Sequence, residues 1–233
     1  MNTRLNVITL DGPAGVGKST LARLLAENLR MAYLDTGAMF RCLALRLGAG
    51  AEKLAESAVR LRCADVCFSL DGKGNATKLC CDGMPVGEEI RGEKVGLLAA
   101  RIAAVPVVRE ILRKAQREIG ETAPLVAEGR DMGIVVFPDA RFKFFLDAAP
   151  EVRARRRLKD LELHGETVNL SELAEQIRRR DDMDRNRAIA PLRPADDALL
   201  VDTSRMTVGR TLNLMLRHIK EGQRAAAKIS RLA

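Results

Sequence analysis

The feature that most constrains the fold is a glycine-rich segment close to the N-terminus, residues 5–20, with the sequence LNVITLDGPAGVGKST. Its first half contains an apolar run that predicts a buried strand. The second half extends from Gly12 to Ser19 and matches the phosphate-binding loop pattern G-x-x-x-x-G-K-[ST]. Leucines at helical spacing follow at positions 21, 24, 25 and 29. The segment therefore predicts a strand, a phosphate loop and a helix in direct succession.

The residue types in this loop suit a polyphosphate ligand. Glycine has no Cβ, so the backbone can curl and point its N–H groups inward, and the next helix adds free amides and the positive end of its dipole. Lys18 supplies a positive charge for the outer phosphates, and Ser19 offers a hydroxyl to Mg²⁺. We therefore predict that ATP binds here with Mg²⁺. The predicted contacts are Gly12, Pro13, Ala14, Gly15, Val16, Gly17, Lys18, Ser19 and Thr20.

Short apolar strands alternate with helical patterns along the rest of the chain. Together with the first strand, segments 31–34, 125–127, 142–146 and 199–202 predict an α/β fold, in which a parallel sheet is covered by helices on both faces. Polar residues follow these strands, so the ligand is expected at the carboxyl edge of the sheet. Segment 66–86 differs, because two extended runs around a glycine-rich turn indicate a β-rich insertion.

Helical periodicity predicts the remaining elements. The helix over 92–119 should break at Pro106, which cannot continue the first half. Residues 222–233 are basic, and we expect a frayed or solvated tail there. The other predicted helices cover residues 38–47, 52–62, 150–163, 170–180 and 208–220.

Charge and composition narrow the choice of partners. The net charge of +8 favours anionic ligands. One tyrosine, six phenylalanines and no tryptophan offer few platforms for stacked bases, so we expect no nucleic-acid partner.

There is neither an apolar run of membrane-spanning length nor a signal-peptide pattern, so we predict a cytoplasmic location and no membrane partner. The five cysteines lack zinc-site spacing and are expected to be reduced thiols. A monomer is the expected state.

A phosphate loop alone does not distinguish among GTPases, motors, DNA-dependent ATPases and small-molecule kinases. The Asn-Lys-x-Asp motif of a guanine site is absent, and no predicted strand ends in the Asp-Glu pair common in remodelling ATPases. The chain instead carries arginines close to predicted strand ends. Guanidinium groups bind phosphate through two parallel hydrogen bonds, which suits a second phosphorylated substrate. These arginines are Arg41, Arg109, Arg130, Arg180 and Arg187.

Three longer motifs occur together: DTGAMFR at 35–41, EGRDMGIVVFP at 128–138 and RDDMDRNRAIAPL at 180–192. In combination they resemble bacterial cytidylate kinases, within the nucleoside monophosphate kinase family, over nearly the whole chain. The resemblance implies a phosphate-loop core sheet, a monophosphate-binding region enlarged by the β-rich insertion, and an arginine-rich lid. The implied boundaries are 1–35, 123–150 and 188–220 for the core, 36–122 for the monophosphate-binding region, and 151–187 for the lid.

The resemblance also implies roles for individual residues. It places Thr36 and Arg41 at the acceptor nucleotide, and Arg109 and Arg130 at its phosphate. Implied contacts with cytosine or the sugar are Asp131, Arg180, Asp184 and Arg187. On or beside the lid, near the transferring phosphoryl group, are Arg153, Arg156 and Arg157, with Arg157 as an ATP contact. The implied catalytic groups are Lys18, Arg130, Arg156 and Arg180, and Ser19 is the implied metal contact.

Two positions depart from the family pattern. Ala100 stands where close relatives often carry serine, and Phe40 stands where they often carry tyrosine. Each difference removes a hydroxyl and could weaken discrimination between bases, but neither affects the groups expected to bind phosphate.

The activity implied is transfer of the γ-phosphoryl group of ATP to CMP and dCMP. The acceptor oxygen is already anionic, so no general base is required. Two alternatives stay open: a kinase for another small acceptor, such as UMP, AMP or a hydroxyl-bearing metabolite, and an ATPase stimulated by nucleic acid. Some of the charged residues also have structural alternatives. These are an internal Arg130–Asp131 ion pair, a surface Asp184–Arg187 pair, and a solvated helix face at 153–157.

Overall fold

The computed structural model describes residues 7–163 and 168–229. Its strands are β1 (Val7–Asp11), β2 (Ala32–Asp35), β3 (Phe68–Asp71), β4 (Lys78–Cys81), β5 (Met84–Pro85), β6 (Leu125–Glu128), β7 (Phe142–Asp147) and β8 (Leu199–Asp202). Its α-helices are α1 (Lys18–Leu29), α2 (Thr36–Leu47), α3 (Glu56–Arg62), α4 (Glu93–Ile102), α5 (Pro106–Thr122), α6 (Pro150–Leu163), α7 (Leu170–Arg185) and α8 (Val208–Ile229).

The core is a parallel sheet, as the sequence predicted, and its five strands lie in the order β2-β6-β1-β7-β8. β1 is central, and its residues pair with β6 on one side and β7 on the other, with Leu10 opposite both Glu128 and Phe144. The carboxyl ends of β1, β2 and β6 therefore meet at one edge. The predicted β-rich insertion forms a separate antiparallel sheet, β3-β4-β5. Residues 164–167, between the helices predicted at 150–163 and 170–180, lie outside the described residues.

Apolar side chains form three buried clusters that hold the helices in place. One lies on the side of the sheet that carries α2, α4 and α5, and includes Met39, Ile102 and Leu112. A second lies on the other side, where α1 and α8 pack through residues such as Leu25 and Met215. The third lies between α6 and α7 and is separate from the other two. The pair α6–α7 thus has a small core of its own.

The helix boundaries differ most from the sequence-based prediction in three places. The predicted helix at 52–62 is a short 3₁₀ turn followed by α3, because Leu54 and Ala55 between them are extended. Leu54 and Val59 pack into the same cluster, so the periodicity continues across the break. α7 continues beyond Arg180 to Arg185.

α8 also continues beyond the predicted end at 220 and reaches Ile229, so residues 222–229 are not frayed, although most of residues 222–227 are exposed, as expected for a solvated tail. The extension is anchored at Gly222, whose carbonyl accepts a hydrogen bond from Arg141. A Cβ on Gly222 would lie 2.6 Å from the ring of Phe142, so the helix approaches β7 closely there. Residues 230–233 of the predicted tail lie outside the described residues. Among the helices of the described ranges, none combines the length and apolar character needed to span a bilayer.

Candidate active site

The phosphate loop connects β1 to α1 in a conformation that depends on glycine. Gly12, Gly15 and Gly17 have φ values of +144°, +79° and +93°, where residues with a side chain are strained. A Cβ on Gly12 would lie only 2.1 Å from the backbone oxygen of Leu146 in β7. Gly17 is the N-cap of α1, and no side chain caps it. The helix therefore begins with free amides directed at the loop.

Lys18 lies inside the loop, and its ammonium group donates a hydrogen bond to the carbonyl of Pro13 at 2.6 Å. The pKa of this lysine is lowered to about 7, mainly by burial and next by the nearby Arg130 guanidinium, while Glu128, Asp11 and Asp184 act in the opposite direction. A bound polyphosphate would favour the charged form of the lysine. The surroundings of Lys18 therefore disfavour its positive charge and are suited to an anion that would restore it.

Two buried carboxylates at the sheet edge were not assigned a role from the sequence. Asp11 ends β1 and accepts backbone hydrogen bonds from Met132 and Gly133, both at 2.8 Å. It thereby anchors the turn that carries Arg130 and Asp131, although burial raises its pKa to about 6. Glu128 ends β6 and accepts a hydrogen bond from the hydroxyl of Tyr33. The available signal was the acidic residue that ends each of these apolar strands.

Opposite the phosphate loop, the motif arginines meet in a partly buried cleft. Arg130 donates to Asp184 at 2.9 Å, while Arg109 is paired with Asp131 and also donates to the carbonyl of Ala103 at 3.1 Å. Arg130 and Asp131 therefore do not form an ion pair with each other, because each is paired with a different residue. Arg187 lies 3.8 Å from Asp184, and both side chains are mostly buried, so they do not form a surface pair.

The charge balance of the cleft is positive. Burial, and then repulsion from Arg130, lowers the pKa of Arg180 to about 10. Burial also lowers the pKa of Arg187, with Arg109 and Arg130 adding to the effect against the opposing influence of Asp184. Within the described ranges, the Nε atoms of Arg180 and Arg187 are buried without a hydrogen-bond partner. Crowded guanidinium groups with buried donors that lack an acceptor are suited to binding an oxyanion.

The residues predicted to touch the acceptor nucleotide line the same cleft from α2. Thr36 is buried and donates its hydroxyl to the carbonyl of Glu128 at 2.7 Å. Arg41 donates to the carbonyl of Ile90 at 2.9 Å, and burial lowers its pKa, with repulsion from Arg91, Arg157 and Arg130 contributing. Its neighbour Phe40 packs its ring below the guanidinium of Arg109, 5.7 Å away. The tyrosine-to-phenylalanine difference therefore retains a contact between the ring and an arginine.

The arginines of α6 occupy three different environments. Arg157 is exposed and lies close enough to Arg41 to influence it electrostatically. Arg156 donates to the carbonyl of Thr203 at 2.6 Å and lies 3.4 Å from the carbonyl of Val16. Arg153 does not face the cleft: it is buried, paired with Asp181, and donates to the carbonyl of Ala14 at 3.1 Å. The expected role of Arg153 at the transferring phosphoryl group is therefore replaced by a contact beneath the phosphate loop.

The parallel sheet, the loop between β1 and α1 and the basic cleft opposite that loop define an α/β protein of the phosphate-loop kinase class. Residues 8–221 match the family described as cytidylate kinase. The chain belongs to the cytidylate kinase family, and it is a nucleoside monophosphate kinase. The three motifs at 35–41, 128–138 and 180–192 all lie inside the matched region.

Individual relatives agree with this assignment over nearly their full lengths. A cytidylate kinase of Nitratidesulfovibrio vulgaris is 56% identical over 216 residues, which cover 93% of each chain. A cytidylate kinase of Vibrio cholerae is 44% identical over 221 residues, which cover 94% of this chain and 98% of the relative. Among solved structures, an uncharacterized protein from Eubacterium ventriosum aligns over 94% of this chain and 99% of its own, with a TM-score of 0.50 and 11% identity. That similarity supports the fold alone.

Proposed function

We propose that this protein transfers the γ-phosphoryl group of ATP to the phosphate of CMP and dCMP, giving ADP and the cytidine diphosphate. The observation that carries the proposal is that two regions suited to anions lie close together, since Arg130 is near enough to Lys18 to shift the pKa of that lysine. One is the phosphate loop with Lys18. The other is the cleft that contains Arg130, Arg180 and Arg187. The positive charges of these arginines outnumber the negative charges of the carboxylates beside them. The names of the relatives support the choice of substrates.

The proposed chemistry is positioning and charge neutralisation. An oxygen of the acceptor phosphate attacks the γ-phosphorus, the bond to the bridging oxygen breaks, and ADP leaves with the electron pair of that bond. Lys18, Arg130 and Arg180 hold two polyanions that would otherwise repel each other, and they neutralise charge on the phosphoryl group in transit. Arg156 and Arg157 are proposed to assist from α6, and Arg109 and Arg187 to hold the acceptor phosphate and sugar.

The site fits a magnesium ion on the donor side. Ser19 is exposed at the start of α1 and lies close enough to Glu128 to act against the rise that burial causes in the pKa of that carboxyl. No group of three or more metal-binding side chains occurs among the residues with described positions. A hydroxyl, one nearby carboxylate, water and phosphate oxygens form the kind of sparse oxygen set that Mg²⁺ prefers. When bound, the ion neutralises charge on the ATP phosphates, and Ser19 is the proposed protein ligand.

The base selectivity is proposed to come from Asp131. A carboxylate accepts a hydrogen bond from the exocyclic amino group of cytosine, whereas uracil presents a carbonyl oxygen at that position. Asp131 is buried at the end of the Arg130 turn, and its pairing with Arg109 fixes its orientation. A carboxylate held in this way favours cytosine over uracil by about 1–3 kcal/mol, or roughly 10- to 100-fold. Asp184 and Arg187 lie 3.8 Å apart, and we propose that they bind the sugar hydroxyls.

An acceptor-panel assay tests this function. ADP release is measured with ATP, Mg²⁺ and either CMP, dCMP, UMP or AMP, and a reaction without acceptor gives the background. We expect CMP and dCMP to be phosphorylated with a kcat/KM about 10- to 100-fold above that for UMP. A preference for UMP or AMP would contradict the substrate assignment and leave the fold unaffected.

The same assay separates the kinase from the nucleic-acid-stimulated ATPase. An ATPase of that kind would hydrolyse ATP faster when DNA or RNA is added without any nucleotide acceptor, and its binding would weaken steeply with salt. We expect neither effect. A monomeric state, a cytoplasmic location and the absence of nucleic-acid and membrane partners stay predictions, as do the domain boundaries drawn from the sequence.

A further inference from the structure

Two carbonyl groups of the phosphate loop are held from outside by buried side chains that do not face the nucleotide cleft. The guanidinium of Arg153 donates to the carbonyl of Ala14 at 3.1 Å. The hydroxyl of Thr203 lies 3.2 Å from the carbonyl of Val16 and 3.1 Å from that of Asp147, the last residue of β7, and it accepts a hydrogen bond from Arg156 at 3.2 Å. Arg153 and Thr203 are almost completely buried. These contacts connect the loop to α6 and to the end of β8.

Asp181 fixes the direction of the first of these contacts. Its carboxylate binds the Arg153 guanidinium through two hydrogen bonds. The remaining Nε of Arg153 donates to the carbonyl of Ala148 at 2.9 Å. A bidentate pair that is buried and anchored on a third side has little rotational freedom. The loop is therefore held by an arginine whose own position is set by α7, the helix that carries Arg180 and Asp184.

Because the peptide group is planar, a contact that fixes a carbonyl also fixes the direction of the next N–H group. In a trans peptide the C=O of one residue and the N–H of the next point in opposite directions. Holding the carbonyls of Ala14 and Val16 outward therefore turns the amides of Gly15 and Gly17 inward. Within the described parts of the chain, no acceptor forms a hydrogen bond with either amide. Both residues are glycines with positive φ, so without these contacts the peptide groups could rotate.

We infer that Thr203 and the Arg153–Asp181 pair are positioning residues, which aim the amides of Gly15 and Gly17 at the phosphates of ATP by holding the preceding carbonyls outward. The inference rests on the proposed function, because it requires the loop to bind ATP. If only a fraction of the molecules has the amides correctly aimed, the apparent Kd for ATP rises in inverse proportion to that fraction. CMP binds in the opposite cleft, so its affinity should not depend on this fraction.

The test measures ATP and CMP binding separately by calorimetry, ATP with Mg²⁺ and each ligand alone. Thr203→Val removes one hydroxyl with little change in shape, and Asp181→Asn weakens the anchor of Arg153. We expect Thr203→Val to raise the Kd for ATP about 3- to 10-fold, the effect of one hydrogen bond, while the Kd for CMP changes less than about twofold. Thr203→Ser, which restores the hydroxyl, should return the Kd for ATP towards that of the unaltered protein.

Thr211→Val is the matched control. Thr211 is equally buried, and its hydroxyl donates to a backbone carbonyl inside α8, that of Thr207, at 3.0 Å. The Thr211→Val variant also loses a buried hydroxyl, but it should leave the dissociation constants for ATP and CMP unchanged. If Thr203 had a purely structural role, Thr203→Val would weaken the binding of ATP and CMP to the same extent, or would lower only the melting temperature.

The outcomes separate this inference from the function on which it rests. If the unaltered protein binds ATP and Thr203→Val binds it equally well, the inference is wrong and the proposed function stands. If the unaltered protein binds no ATP, the proposed function fails and the inference fails with it. Asp181→Asn removes a charge from a buried pair and could fail to fold, in which case Thr203→Val and its serine rescue decide the question.

Discussion

Replacement of Arg130 by methionine is expected to lower kcat by a factor of about 10³–10⁵, the range found when an arginine that stabilises phosphoryl transfer is removed. Arg130 lies close enough to Lys18 of the phosphate loop to lower the pKa of that lysine, and it donates a hydrogen bond to Asp184 at 2.9 Å. Methionine keeps much of the side-chain volume and removes the charge. The loss should therefore appear in catalysis much more than in folding.

Steady-state kinetics and thermal unfolding of the purified Arg130→Met variant check this expectation. Arg46→Met is the matched control, because Arg46 forms an exposed ion pair with Asp82 at 2.7 Å and is not among the cleft residues. Its kcat should stay within about twofold of the unaltered value, since exposed ion pairs contribute little. A kcat for Arg130→Met above a tenth of the unaltered value would show that Arg130 has no major part in the reaction.

Replacement of Gly12 by alanine is expected to abolish measurable ATP binding and to destabilise the fold. A Cβ at this position would lie 2.1 Å from the backbone oxygen of Leu146, and a backbone atom cannot yield as a flexible side chain can. The φ of +144° adds strain for any residue with a Cβ. Together these effects should cost about 3–5 kcal/mol, or a fall of about 10 °C in Tm for a chain of this size.

Gly83→Ala separates the two causes. Gly83 also has a positive φ, +78°, but no atom lies within 4 Å of the added Cβ. We expect this variant to lose only about 1–2 kcal/mol and to bind ATP normally. Equal loss of stability in both variants would mean that backbone strain alone accounts for Gly12, and that the close approach of β1 to β7 is unimportant.

Much of the fold was predictable because its signals are local. Each strand of the parallel sheet is a short apolar run. The change from strand to helix at Gly12–Ser19 is indicated by a motif of consecutive residues. The break at Leu54–Ala55 was not predictable, since the apolar residues on both sides of it pack into one cluster and preserve the helical period. The extension of α8 was missed because it depends on Gly222 fitting against Phe142, a residue eighty positions away in the sequence.

The sequence predicted which residues lie at the site better than it predicted which of them form ion pairs with each other. The sequence brought together Lys18, Arg130 and Asp184, which the structure places within electrostatic reach of one another. It could not show that Asp131 pairs with Arg109 rather than with its neighbour Arg130, since that choice depends on how α5 packs against the turn. Nor could it reveal that Arg153 faces the back of the phosphate loop, because its neighbours on α6 carry the same side chain.

The central claim is that one molecule holds ATP and a cytidine monophosphate end to end, with their phosphates between the loop and the arginine cleft. The most direct measurement is calorimetry with a single ligand in which adenosine and cytidine are joined at their 5′ positions by a pentaphosphate chain. We predict one site per chain, and a bound ligand that prevents both ATP and CMP from binding. A linked ligand that blocks only one of the two nucleotides, or that binds no better than ATP alone, would contradict the account.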